Sequence, residues 1–304
     1  MTSPKRHHWW PQVQSRYWTG ADGLVNVVRA DGTGFRANPI NLGVESELYT
    51  RFGPDDSKDP SIEDWFANTV DQPAGLLIDH LSDASLRKRH PYAGDPDKAA
   101  VSRQLGMRTP GYIDVHPLPD EVRMAAARYV AALLVRHPRY LSKLTEFHRL
   151  SAPDNTSAKS AALDNMGHVF GVYVETILSA TFMISQRTGT AEFIYADGGI
   201  VVDEPWAPDI PFTMHVPLTP DVALQVLPVP NPIPLREVPV IEATNPGVAR
   251  MNRITLSAAQ RFVFTRQAPP TTFIRRYFGV PAPASIGYRF INGRLETRYE
   301  PGHM

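Results

Sequence analysis

His7 and His8 are followed at once by Trp9, Trp10, Pro11 and Gln12, and an ordered segment of this kind would present an imidazole beside an aromatic wall. Imidazole ligates zinc, manganese or iron and exchanges a proton near neutral pH. A carboxylate suited to join it is Asp197, which ends the apolar run Phe193-Ile194-Tyr195-Ala196 and precedes Gly198 and Gly199. Such a strand end mounts a carboxylate in a cleft, and it is also an ordinary turn. Asp164, His168 and Glu175 form a third group. At about 100° per residue they fall within about 40° of one another on a helix. Leu163, Met166, Phe170, Val174 and Ile177 share a different side of that helix. The polar set is either a ligand-bearing face or the solvated stripe of an amphipathic helix. Gly167 and Gly171 beside it either admit something close to the backbone or let a neighbouring helix pack. His80, His90, His116, His137 and His215 have no partner at an interpretable spacing.

Several chemistries are excluded. Zero cysteines remove disulfides, thiolate metal sites and cysteine nucleophiles. The sequence contains no dinucleotide-binding glycine fingerprint after a strand, no phosphate-binding loop, no HExxH, no GxSxG elbow and no kinase signature. Thirty-one basic residues balance 31 acidic ones, so any nucleic-acid contact must come from local clusters such as Lys5-Arg6, Arg87-Lys88-Arg89 and Arg275-Arg276. Each cluster reads first as solvated surface. No apolar run reaches the roughly 20 residues that span a bilayer, and the N-terminal residues lack the apolar stretch of a signal peptide. The expectation is a cytoplasmic protein with no membrane contact.

The elements that must carry these residues follow from cap, turn and period signals. Leu24 to Val28 and the turn Asp31-Gly32-Thr33-Gly34 read as a hairpin, and Asp59-Pro60 and Asp95-Pro96 as helix starts. Helices are expected from about Asp120 to His137, Arg139 to Leu150 and Thr156 to Ile184. Strands follow at Phe193–Tyr195, Ile200–Val202, Phe212–Leu218 and Ala223–Val229, then a helix over Gly247–Gln260 and a strand at Phe262–Phe264. The chain closes on a hairpin at 286–299 around Asn292-Gly293. Strands, a helical middle block and returning strands argue for an α+β fold with a mixed or antiparallel sheet built from the N- and C-terminal segments. One domain over 1–304 is expected, with a proline-rich loop at 229–239.

The run Lys5-Arg6-His7-His8-Trp9-Trp10-Pro11-Gln12, then Leu24 to Val28, Asn38-Pro39 and Glu47-Leu48-Tyr49, resembles the start of the domain of unknown function 4238 family of bacterial proteins. Phe193-Ile194-Tyr195, Asp197, Pro217-Leu218-Thr219-Pro220 and Asn252 with Ala258 and Arg261 continue the resemblance in order, so that it spans Lys5 to Phe264. It implies that His8 is the family histidine, Pro11 and Gln12 its companions, and Asp197 the family aspartate. Ala196, Gly198 and Gly199 depart from the family's usual Ser, Asn and Pro. The resemblance implies no established activity, although some members look associated with phage defence.

Two functions are compatible with these residues. One is a metal-assisted hydrolase, such as a phosphodiesterase or nuclease. There His8 and Asp197 would hold a divalent ion (Mn, Mg or Zn), with His168 or Glu175 as a further ligand or general base. Arg6, Gln12 and Arg261 would contact the substrate, and nucleic acid would be a partner. The other is a non-catalytic interaction or sensor protein in which His8, Pro11, Gln12 and Asp197 form a buried polar staple. Trp9, Trp10, Trp65 and Trp206 would then be candidate partner contacts. An open cleft between His8 and Asp197 would mark the first, and a direct bond between them the second.

Overall fold

Short polar side chains and prolines start most of the helices. Asp59 accepts the Ser61 amide at 2.9 Å, Asp154 accepts the Ser157 amide at 2.7 Å, and the His137 ring accepts the Arg139 amide at 3.2 Å just ahead of Pro138. The computed structural model describes residues 6–52, 57–91, 112–152, 154–202, 214–227, 236–280, 287–291 and 294–298.

The strands are β1 Arg6–His8, β2 Val25–Val28, β3 Gly34–Ala37, β4 Val44–Ser46, β5 Arg51–Phe52, β6 Lys58–Asp59, β7 Lys88–Pro91, β8 Tyr112–Pro117 and β9 Thr181–Arg187. After them come β10 Tyr195–Ala196, β11 Val201–Val202, β12 Met214–Pro217, β13 Val222–Leu227, β14 Glu237–Ala243, β15 Val263–Thr265, β16 Gly287–Ile291 and β17 Arg294–Arg298. The α-helices are α1 Gln12–Ser15, α2 Ser61–Phe66, α3 Gln72–Ser82, α4 Asp120–Val135, α5 Pro138–His148, α6 Asn155–Leu178, α7 Asn245–Ser257 and α8 Thr271–Tyr277. Residues Ala67–Asp71 form a wide π turn that joins α2 to α3.

Seven strands form the main sheet in the order β11-β12-β13-β9-β14-β8-β7, antiparallel except where β14 runs parallel to β9. A second, antiparallel sheet has the order β10-β15-β2-β3. The pairs β1-β4, β5-β6 and β16-β17 stand apart from both. The fold is therefore α+β. Its core gathers α3, α4 and α6 with inward residues of both sheets, and α4 buries nine of its side chains. Trp10 stacks on Tyr195 and Phe264 at ring separations of 4.7 and 4.4 Å, so the N-terminal segment is packed into the second sheet. Burial of so large an aromatic side chain contributes on the order of 2–3 kcal/mol.

The helix expected to run to Ile184 ends at Leu178, and Thr181-Phe182-Met183-Ile184-Ser185 is the buried half of β9. Helical spacing and a continuous apolar strand are indistinguishable in that stretch, and pairing with β13 and β14 on both edges decides for the strand. The end of the stretch expected as a proline-rich loop is strand, since β14 begins at Glu237. Pro239 sits inside β14 opposite Val115, and the parallel ladder to β9 starts one residue later at Val240, so the missing amide is not needed there. Residues 228–235, the helix expected to start at Asp95-Pro96, Phe212 and the turn Asn292-Gly293 lie outside the described residues. Ile291 pairs with Arg294, as the closing hairpin requires.

Candidate functional site

Strand alternation sends His7 and His8 to opposite faces. His7 is fully buried, its Nδ1 accepts the Tyr49 amide at 2.8 Å, and its ring stacks on that of Tyr49 at 5.6 Å. His8 is half-buried. Its Nε2 lies 2.8 Å from Gln12 Nε2, one turn on in α1, and 3.2 Å from the Ile40 carbonyl oxygen. A neutral ring serves one of these at a time: it accepts from the Gln12 amide with its proton on Nδ1, or donates to Ile40. Burial lowers the His8 pKa, which keeps the ring neutral at pH 7. Arg6 Nη2 donates to Asn41 Oδ1 at 3.2 Å and is exposed.

Asp197 is buried at the end of β10. Its Oδ1 accepts the amides of Gln260 at 2.7 Å and Arg261 at 3.1 Å, and its Oδ2 accepts the Arg261 amide at 2.8 Å. Its own amide donates to the Phe262 carbonyl at 3.0 Å. The carboxylate thus anchors the turn between α7 and β15. The Arg261 side chain is mostly solvated, with Nε 3.8 Å from Asp197 Oδ2. At Gly198 a Cβ would stand 1.6 Å from the Ala258 carbonyl oxygen, so the backbone approach excludes any side chain. Replacing Asp197 with Asn should cost about 2 kcal/mol, because its amide group turns a donor towards a backbone donor. Urea unfolding checks this, and a wild-type midpoint would rule out the anchoring role.

His8 and Asp197 do not bond to each other. Two consecutive residues at the α4–α5 junction connect them instead. The fully buried Arg136 donates Nη2 to the His8 carbonyl at 2.6 Å and Nη1 to Asp71 Oδ1 at 2.5 Å. His137 Nε2 donates to the Asp197 carbonyl, and Trp9 meets its ring edge-on at 5.2 Å. Tyr49 Oη donates to the Arg136 carbonyl at 2.5 Å. Although burial works against its charge, Asp71 beside it holds the Arg136 guanidinium above its ordinary pKa. Burial pushes the Glu63 carboxyl up, while the nearby Arg136 guanidinium pulls it the other way. Burial likewise lowers His137. Neither Arg136 nor Glu63 stood out in the sequence. The only local signal for the junction is Arg136-His137-Pro138, where one helix must stop and another start.

The proposed ligand set does not assemble. His168 and Glu175 are exposed on α6, on the side away from its buried Leu163, Met166, Phe170 and Ile177, so their stripe is the solvated one. Among the described residues, no three or more His, Asp or Glu side chains are grouped to hold a metal ion. The basic cluster after α3 is paired as well: Arg87 binds Gln186, Arg89 binds Asp114 through two bonds, and Lys88 lies 3.9 Å from Glu237. Trp9 and Trp10 are buried and Trp206 lies outside the described residues, whereas Trp65 remains 39% exposed.

Among the described residues, no helix is long and apolar enough to cross a membrane. No curated protein and no solved structure matches the chain. A family model described as a protein of unknown function, DUF4238, matches residues 6–269, from the strand that carries His8 past the turn held by Asp197. The chain belongs to the DUF4238 family.

Proposed function

We propose that this protein is a non-catalytic interaction protein in which His8 and Asp197 belong to the scaffold. The observation that carries this reading is the use of their polar atoms. The Asp197 carboxylate accepts from two backbone amides, His8 Nε2 bonds to either Gln12 or Ile40, and Arg136-His137 ties the two positions together. A carboxylate filled by fixed N–H donors is a poor metal ligand, because a cation would have to displace hydrogen bonds that already satisfy it. The direct His8–Asp197 bond expected of a staple is absent, and a link through Arg136 and His137 takes its place in this reading.

The competing reading, a metal-assisted hydrolase, makes the opposite demand on the same residues. Elemental analysis and calorimetric titration with manganese and zinc, on wild type and on His8→Ala and Asp197→Ala, separate them. The expected result is no stoichiometric metal in wild type and a lowered melting temperature in both variants, with the larger loss for Asp197→Ala. Stoichiometric binding that disappears in both variants while their stability stays unchanged would overturn the scaffold reading and justify assays on phosphodiesters and nucleic acids.

A further inference from the structure

Residues 243–295 contain eight arginines and no aspartate, glutamate or lysine, in a chain whose 31 basic and 31 acidic side chains balance overall. So long an acid-free run concentrates positive charge on whatever surface it forms. Two of these arginines are already engaged: Arg266 bonds to Glu192 and Asp221, and Arg261 lies beside Asp197. Those on α7 and α8 are arranged differently. Arg253 of α7 lies over the Tyr277 ring, 4.6 Å from its centroid, and Arg276 of α8 lies over the same ring at 5.3 Å. Phe273, one turn earlier in α8, meets Tyr277 edge-on at 4.9 Å and braces it. Arg275 reaches instead to the turn between β2 and β3, where a Cβ on Gly32 would stand 2.6 Å from Arg275 Cδ. Arg29 begins that turn and lies over Phe35 at 4.9 Å.

These contacts connect four arginines from α7 across α8 to the turn. Arg29, Arg275 and Arg276 are exposed and Arg253 is partly so. Among the described residues, no carboxylate forms an ion pair with any of the four. The one acid of the turn, Asp31, already accepts from the Thr33 amide at 2.8 Å and hydroxyl at 2.7 Å. Four guanidinium groups against one carboxylate leave a strongly positive surface, and phosphate is the anion that arginine holds through paired hydrogen bonds. A guanidinium plane laid on an aromatic ring also offers its free side to a nucleobase.

We propose that this surface binds single-stranded nucleic acid, with the four arginines on its phosphates and a base stacked on the Arg276 guanidinium beside Tyr277. The surface is separate from the His8 and Asp197 scaffold, so it stands whether or not that scaffold also does chemistry.

Fluorescence anisotropy with a labelled dodecameric oligothymidylate tests it. At about 50 mM salt the dissociation constant should be about 10 μM, and log affinity should fall against log salt with a slope of about −3, as for four phosphates neutralised on a single strand. An abasic strand of the same length carries the same charge without the bases and should bind at least about tenfold more weakly. Arg275→Ala combined with Arg276→Ala should weaken oligothymidylate at least about tenfold and reduce the slope to about −1.5, with the circular dichroism spectrum unchanged. Arg29→Ala tests the same surface from the turn, independently of how α8 tolerates substitution, and should weaken binding about threefold. Lys143→Ala combined with Arg149→Ala removes the same charge from the region of α5 and should change the affinity less than about twofold. No binding to wild type, equal affinity for the abasic strand, tighter binding of a duplex of the same length, or an equal loss in the α5 control would each overturn the assignment.

Discussion

Arg136→Ala should destabilise the protein by about 3–5 kcal/mol, the largest loss expected for a single substitution outside the apolar core. The guanidinium has no solvent exposure, and its charge is compensated at Asp71, whose side chain is 25% exposed. Its plane lies over Phe66, 4.5 Å from the ring centroid. Truncation removes the donor from the part-buried His8 carbonyl, strips Asp71 of its Arg136 partner and opens a void beside Phe66 and Tyr49. Arg136→Met refills the void without restoring the donors, so it should recover part of the loss and no more. The readout is urea unfolding, with hydrogen exchange of residues 6–18 to show whether the N-terminal segment is released first. A loss under about 1 kcal/mol would mean that the junction does not hold that segment.

Acidification from about pH 6.5 to 4 should remove about 3 kcal/mol through His215 alone. His215 is buried on β12 with its ring 5.8 Å from Phe193, both ring nitrogens lack a hydrogen-bond partner among the described residues, and burial lowers its pKa to about 4. The unfolded chain, with an ordinary histidine pKa near 6.5, binds more protons than the folded one throughout that window. Stability is therefore fully present above about pH 6.5 and is lost as the pH falls towards 4. His116, also lowered to about 4 by burial and by neighbouring His80, acts with the same sign, as do His8 and His137. Unfolding free energies measured at intervals from pH 7.5 to 4 should slope less steeply in His215→Leu than in wild type. Parallel slopes would show that this ring is hydrated or partnered in solution.

Local signals in the chain carried much of the fold. The hairpin of β2 and β3, the starts of α2, α5 and α6, and the break at Pro138 all rest on contacts a few residues apart, which a single sequence displays directly. The boundary at Leu178 was hidden because Thr181 to Ile184 reads equally well as a helix continuation, and only strands distant in sequence make it a strand. Asp197 stood out as a carboxylate ending an apolar strand before two glycines, but its burial and its partners at Gln260 and Arg261, more than sixty residues away, did not. Arg136 carried no signal at all, since an arginine near a helix end is ordinarily a solvated cation and only its enclosure makes it a hub.

What the sequence by itself determined is much of the order of elements, several of their caps and turns, and the family; that adjacent His7 and His8 face opposite ways follows only from β1 being a strand. Which of the two goes inside was decided by the tertiary structure, where β1 pairs with β4 and Tyr49 covers His7, leaving His8 at the rim. The same holds for Asp164, His168 and Glu175, whose common stripe follows from helical period but whose outward direction depends on what packs against the opposite side of α6. Period and capping are properties of a few neighbouring residues. Burial and bonding partners are set by contacts between segments far apart in the chain, and those exist only once the core has closed.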